Sequence, residues 1–478
     1  MAATPHAAPP DRSLEPTAAE MRDRIERALS RVIAHIESLP DQPAAYAGGA
    51  VALARSLAEG MPEDGQSYDE LLAILFDRAA PTSFNTAGPG YLAYIPGGGL
   101  FDSAVADLIG DTLNRYVGVW VAAPGLAQIE ANVVHWLAEI VGYPAGAVGF
   151  LTSGGSLANF SAVVTARAAR LPENFLAGTI YTSGQAHHSV QKAAMLAGFP
   201  ARSVRSVPTD AHFRVRVDAM ERAIASDRKA GLTPFMIVGN AGTTNTGAVD
   251  DLGALADLAE REGLWLHVDA AYGGFFMLTE RGRTVMRGID RSHSVTLDPH
   301  KGMFLPYGTG SLLVRDTAAL ERAHALDADY LPSAPDAPEA MDFSLLSPEL
   351  TRPFRGLRVW LPVKLHGIGA FRRNLDEKLD LARWATDRLR EIPGIEIVAD
   401  PQLSVVAFRL ARPGMGREQL NQLNRRLIDL INARQRVHLS GTLLDGRFVL
   451  RICVLSFRTH LDRVRDGIED IRGAVDQA

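Results

Sequence analysis

"PFMIVGNAGTTNTGAVDDLGALADLAEREGLWLHVDAAYGG", Pro234–Gly274, decides the fold, because it holds two apolar strands with an amphipathic helix between them. The run Phe235 to Val238 is apolar throughout, as a strand covered on both faces must be. "LGALADLAEREG" then repeats leucine and alanine at helical spacing and stops at a glycine. "LWLHV" follows as the second strand and delivers Asp269 at its end. A strand, a helix and another strand in succession make a parallel crossover unit. The alternation continues upstream: "AGTIYTSG" and "RSVRSVP" read as strands, "HHSVQKAAMLAG" and "DAMERAIASDRKAG" as helices. The predicted architecture is α/β, a mostly parallel sheet with helices on both faces. Ligands of such sheets lie beyond the carboxyl ends of the strands, so the residues just after each apolar run are the candidates.

Outside this region the pattern changes. Met21, Ile25, Leu29, Ile33 and Ile36 recur at helical spacing and "SLPDQP" ends the run, which predicts an amphipathic arm with no core of its own. After "GLRVWLPVKLHGIGAF" come a long helix and the short strands "GIEIVAD", "LSVVAFRL" and "FVLRICVLSF", the marks of a small α+β domain. The expected division is residues 1–85 for a loose tip and arm, 86–360 for a large domain and 361–478 for a small one. A net charge of −6 over 478 residues offers no basic excess to displace counterions, so neither nucleic acid nor an anionic membrane is an expected partner. The single cysteine, Cys453, excludes an intrachain disulfide and fits a reducing cytoplasm. The first twenty or so residues lack a signal-like pattern, and no run of about 18 apolar residues appears. A soluble protein is expected.

Four stretches fall at strand ends. "LTSGGSLANF" joins a strand end, paired glycines and a helix start, which suits either a phosphate held by backbone N–H groups or a plain capping turn. "SGQAHHSVQKA" sets His187 and His188 at a helix mouth, where an imidazole can cap the helix or lie on an aromatic ring; further ligands for a metal are lacking, and no metal is expected. In "LHVDAAYGG", Asp269 either caps a turn or sits part-buried, needing a cation or N–H partner to stay charged. In "SVTLDPHKGM", Ser294–Met303, Lys301 is either a solvated lysine or one drawn into an enclosed site, where desolvation should lower its pKa and free the amine to attack a carbonyl. A phosphate cradle, a stacking imidazole, a carboxylate for a ring nitrogen and a Schiff-base lysine together are what pyridoxal 5′-phosphate (PLP) requires.

The motifs "TSGGSLAN", "AHHSV", "GTTNTGAVDDL", "WLHVDAAYGG", "DPHKG" and "PFRGLRVW", in that order, make the chain resemble the group II PLP-dependent amino acid decarboxylases, which include the aromatic-L-amino-acid, tyrosine, tryptophan and glutamate enzymes. The resemblance runs from the arm at Met21 almost to the end of the chain. It implies a fold-type I enzyme with a seven-stranded sheet, an N-terminal helical arm and a small C-terminal domain. It makes Lys301 the lysine that holds the cofactor, Asp269 the partner of the pyridine nitrogen, His187 the ring on one cofactor face and Ala271 the contact on the other. Gly155, Ser156, Thr244, Ser294 and Asp298 fall where the family holds the phosphate or the ring's edge, and His300 stands beside the lysine. Tyr330, in a lid from Tyr330 to about Phe343, aligns with the tyrosine that protonates the substrate carbon after carbon dioxide leaves. Gly302 stands where tryptophan is frequent in the aromatic enzymes, His188 where a small residue is, and Asp298 where asparagine is common.

Decarboxylation to an amine and carbon dioxide is the implied reaction, in a homodimer whose arm wraps the partner. "YLAYIPGGG" and "RYVGVWVAAPG" align with the side-chain pocket, so Tyr94, Ile95, Pro96, Val119 and Trp120 suggest an apolar, aromatic-sized site. The rival readings are an acidic or diamino substrate, an aldehyde-forming synthase, a transaminase on the same fold, a sulfur-abstracting lyase and a non-catalytic PLP-binding protein. The lyase would need a cysteine on an active-site loop, and Cys453 lies in an apolar strand instead.

Overall fold

The structure is a computed structural model and describes residues 13–46, 48–326 and 340–478. A large sheet contains β1 (Val148–Thr152), β2 (Gly178–Ser183), β3 (Val204–Val207), β4 (Thr233–Asn240), β5 (Trp265–Asp269), β6 (Ser294–Leu297) and β7 (Gly310–Val314). Its order is β1-β7-β6-β5-β4-β2-β3. The pairings from β3 through β6 are parallel, whereas β7 runs antiparallel to both β6 and β1. The antiparallel member arises because no crossover helix separates β6 from β7; the chain makes the short helix Pro299–Gly302 and turns back. That return places Lys301 at the carboxyl end of β6. In register, Asn240 lies beside Asp269 and Asp269 beside Thr296, so the ends of β4, β5 and β6 form one rim.

Each crossover helix buries an apolar stripe on this sheet: Leu252, Leu255, Ala256, Leu258 and Ala259 from Leu252–Glu262 are one example. A continuous core joins the helices to Ile237, Val238, Leu266 and Val268 of the sheet. The motif "PFRGLRVW", Pro353–Trp360, and Arg352 just before it have a structural role beneath β1. Arg352 and Glu130, both with fully buried side chains, pair at 2.5 Å, Arg352 also donates to the Leu151 carbonyl at 3.0 Å, and Glu130 accepts the Gly356 N–H at 2.9 Å. Any side chain at Gly356 would collide with Glu130, since an added Cβ would lie 2.7 Å from the Glu130 Cβ.

The second sheet, β8 (Ile395–Ala399), β9 (Val405–Leu410), β10 (Ser440–Leu444) and β11 (Arg447–Cys453), is antiparallel in the order β10-β11-β9-β8. β10 is absent from the sequence reading, which found β8, β9 and β11. The hairpin turn Asp445–Gly446, with φ of 50° and 74°, is the kind of two-residue connection that a residue pair tolerant of positive φ allows. The helix Ile368–Arg390 ties the two units together, with Phe371, Leu375 and Leu379 in the first core and Leu381, Ala382, Ala385 and Leu389 in the second. Tyr91 bridges to His438 and Leu92 belongs to the second core, so the chain around residue 91 attaches to the C-terminal sheet, although it falls inside the range expected for the large domain. The helix Ala18–Ser38 starts at a capping box between Thr17 and Glu20 and buries none of its residues.

Candidate active site

The carboxyl ends of β1, β4, β5 and β6 enclose a cleft of about 250 Å³. Gly155, Ser156, His187, Thr244, Asp269, Ala271, Asp298, His300 and Lys301, all anticipated from the sequence, line it. Ser153, Asn159, Asn240, Thr243 and Tyr272 line it too and were not anticipated.

Gly154 starts the helix Gly155–Arg170 at φ 155° and ψ 175°, a conformation that glycine alone enters readily, and no side chain caps this helix. The N–H groups of Gly155 and Ser156, two residues of the cleft lining, are therefore without intrahelical partners, whereas those of Leu157 and Ala158 donate to the Gly154 carbonyl. A Cβ on Gly155 would stand 3.0 Å from Asp298 Oδ2 and 3.2 Å from Ala271. The glycine thus keeps open a space that a side chain would fill.

Lys301 Nζ donates to Asp298 Oδ2 at 2.9 Å. Burial, the largest single influence, pulls the lysine's pKa down, but the charge and hydrogen bond of Asp298, with the field of Asp269, outweigh it and raise it above the ordinary lysine value. The expectation of a lowered pKa fails because the sequence reading left out Asp298, at the start of the same helical turn, as the amine's ion-pair partner. Asp298 Oδ1 is buried with no hydrogen-bond partner. His300 donates Nδ1–H to the Thr309 carbonyl at 2.6 Å. Burial holds its pKa below the usual histidine value, so Nε2 is a bare acceptor, 3.6 Å from Asp298 Oδ2.

His187 caps the helix His188–Leu196, its Nδ1 accepting the Ser189 N–H at 3.2 Å. Burial lowers its pKa against the pull of Asp269, leaving a neutral ring open to the cleft. Capping and cleft-lining, read from sequence as alternatives, coexist in one side chain. Asp269 receives the N–H partners its burial demands: Asn159 Nδ2 to Oδ2 at 2.9 Å and the Ala271 N–H to Oδ1 at 3.2 Å. Arg451 crosses from β11 to the cleft wall, donating to the carbonyls of Asn245 at 2.9 Å, Tyr94 at 3.2 Å and Thr244.

Ser294 does not line the cleft. It begins β6 while the cleft lies at the other end of that strand, and its hydroxyl sits between Trp265 and His267. Tyr94, Ile95, Pro96, Val119 and Trp120 are also not among the lining residues. Tyr94 borders the rim through the Arg451 contact, whereas the Trp120 N–H donates to Asp342 at 2.5 Å and its ring packs on Val117, Ala123 and Ala127. Tyr330, and most of the lid expected from Tyr330 to Phe343, lie outside the described residues. The Cys453 thiol is buried and pushed up to about 12, with no place in the cleft lining. Asn159 carried a signal that was overlooked: an asparagine one turn into a helix, behind the glycine turn of a quoted motif, is a poor helix former that must find partners if buried.

An uncapped first turn behind a glycine, a lysine amine and an N–H-anchored aspartate suit a phosphorylated aldehyde with a basic ring. On this sheet they define a PLP-dependent enzyme of fold type I. Residues 52–411 match the pyridoxal-dependent decarboxylase conserved domain, and the chain belongs to that family of PLP-dependent amino acid decarboxylases. It is 35% identical to an aromatic-L-amino-acid decarboxylase of Bacillus atrophaeus over 94% of each chain. An L-2,4-diaminobutyrate decarboxylase of Acinetobacter baumannii is 27% identical over 92% of this chain and 91% of its own. Among solved structures, Oryza sativa TDC with PLP and tryptamine superposes with a TM-score of 0.92 at 26% identity, over 97% of this chain and 99% of that one.

Proposed function

We propose that the protein decarboxylates an aromatic L-amino acid, of the tyrosine, phenylalanine, tryptophan or DOPA type, to the amine. The observation that carries this reading is the 35% identity to the Bacillus atrophaeus enzyme along nearly the whole of both chains. It is supported by the absence of arginine and carboxylate side chains from Tyr94–Pro96, which borders the cleft rim through Arg451, where an acidic or diamino substrate would need a charged partner. The diamino reading keeps a place because of the Acinetobacter baumannii relative. Carbon dioxide release from purified protein against aromatic, acidic and diamino acids tests the choice: turnover led by glutamate or diaminobutyrate overturns the aromatic assignment.

When bound, PLP supplies an electron-poor ring that accepts the electron pair left by departing carbon dioxide. Lys301 would hold the aldehyde, and Asp269 would pair with the ring nitrogen, where its negative charge would favour a proton. His187 and Ala271 would contact the ring. The N–H groups of Gly155 and Ser156, with Thr244, would hold the phosphate, and His300 would stand beside the lysine. Asp298 serves the lysine instead, because a carboxylate set against a phosphate would repel it.

Tyr330 is assigned the protonation of the substrate carbon. Wild type should therefore release amine, and Tyr330→Phe should divert most product to aldehyde, read by mass spectrometry of the reaction mixture. Aldehyde from wild type would refute the role.

The enzyme is assigned as a cytoplasmic homodimer. Met21, Ile25, Leu29 and Ile33 lie exposed along a helix that buries nothing, and Leu108, Ile109 and Leu113 lie exposed on Phe101–Leu113. Sedimentation equilibrium should return twice the chain mass; a monomer at micromolar concentration sinks the assignment.

A further inference from the structure

Asn159 is 2% exposed and uses all its hydrogen-bonding capacity. Nδ2 donates to Asp269 Oδ2 at 2.9 Å and to Ser189 Oγ at 2.8 Å. Oδ1 accepts from Thr296 Oγ1 at 2.9 Å and faces His267 Nε2 at 3.0 Å. The carboxylate fixes which way the amide points, since the opposite orientation would set oxygen against oxygen. Nε2 of His267 must then carry the proton, which leaves Nδ1 to accept the Ser294 hydroxyl at 2.8 Å, and Ser294 Oγ accepts the Trp265 Nε1–H at 2.8 Å. Burial keeps His267 neutral, as this chain of donors requires. On the other side, Ser189 Oγ lies 2.8 Å from His187 Nδ1.

We propose that Asn159, locked by His267, Ser294 and Trp265, is the positioning residue that jointly orients Asp269 and the His187 ring around the cofactor. The inference rests on the roles given above to Asp269 and His187. The Nδ2–H bond fixes the direction in which the Asp269 carboxylate faces the cleft. The bond to Ser189 sets the imidazole plane through the same amide. One side chain therefore governs two cofactor contacts that come from separate strand ends.

The test uses holoenzyme and reads the visible circular dichroism of bound PLP, which reports a fixed ring, together with kcat and KM. Asn159→Ala should keep PLP trapped by borohydride on Lys301, lose most of the visible dichroism and lower kcat about tenfold to a hundredfold, as loss of a hydrogen bond to a charged group does, with KM nearly unchanged. Ser294→Ala removes only the outer link and decides the matter should Asn159→Ala fail to fold: a partial loss of dichroism with a kcat a few-fold lower supports the proposal. Wild-type dichroism and kcat in Asn159→Ala, or in Ser294→Ala where that variant alone folds, overturn it. Asp269→Asn is measured in parallel. If that variant matches wild type, the role of Asp269 itself has failed; if it collapses while Asn159→Ala does not, only the positioning role has.

Discussion

Lys301→Ala loses at least about three orders of magnitude in kcat/KM, and borohydride no longer fixes PLP to the protein. The expectation follows from what the amine does and from how it is held. A covalent anchor contributes a step that no neighbouring group can supply, and removal of such a group in other enzymes costs about 10³ to 10⁶ in rate. Lys301 is the one lysine lining the cleft among the described residues, so no second amine stands ready. Its raised pKa keeps it an ammonium paired with Asp298 at neutral pH. Alanine would also strand Asp298, whose side chain is 2% exposed, as an unpaired buried carboxylate, a loss of about 3–5 kcal/mol in comparable pairs. Lys301→Arg separates the two effects, since it restores the cation without a usable nucleophile. It should melt near wild type and remain inactive. Activity in Lys301→Arg above a tenth of wild type, or a wild-type protein that borohydride cannot trap at position 301, removes the lysine from its role.

Much of this arrangement was legible in the chain, and the reason is strand polarity. A parallel sheet sends every strand end to one rim, so residues after the apolar runs, Gly155, His187, Asp269, Asp298 and Lys301, could be gathered without coordinates. Position along a strand also separates Ser294 from Asp298: the two bracket β6, and only the later one reaches the rim. The partners were harder to read. Nothing local shows that Asn159 would bridge Asp269 and Ser189, because those contacts join elements far apart in the chain, whereas Asp298 and Lys301 lie three residues apart on one turn and their pairing could have been read from that spacing. β10 was hidden for another reason: its burial alternates, but polar Ser440 and Thr442 stand on the inward face and apolar Leu443 on the outward one, so the residue types do not mark a half-buried strand. The side-chain pocket is the least legible part: the Trp120 N–H donates to Asp342 and its side chain packs on Val117, Ala123 and Ala127, and neither it nor Val119 is in the cleft lining.

Asp269→Ala is expected to lower kcat by about three orders of magnitude, about 4 kcal/mol of transition-state stabilisation, while PLP still binds to Lys301. In the proposed role the carboxylate would act only as negative charge builds in the ring, so its loss should fall on kcat more than on KM. Three features of its setting make the effect large. Asp269 is 8% exposed, so little water screens it. Its oxygens are held from behind by Asn159 Nδ2 and the Ala271 N–H, which fixes their direction and costs no reorganisation during the reaction. Among the residues lining the cleft, Asp298 is the other carboxylate, and it is committed to Lys301. Asp269→Glu restores the charge but pushes the carboxylate forward by about one bond length, and a misplacement of about 1 Å can cost about a hundredfold. It should therefore recover only part of the rate. Pre-steady-state carbon dioxide release separates chemistry from product loss in all three proteins. Turnover in Asp269→Ala within tenfold of wild type would mean that this carboxylate faces something other than the ring nitrogen.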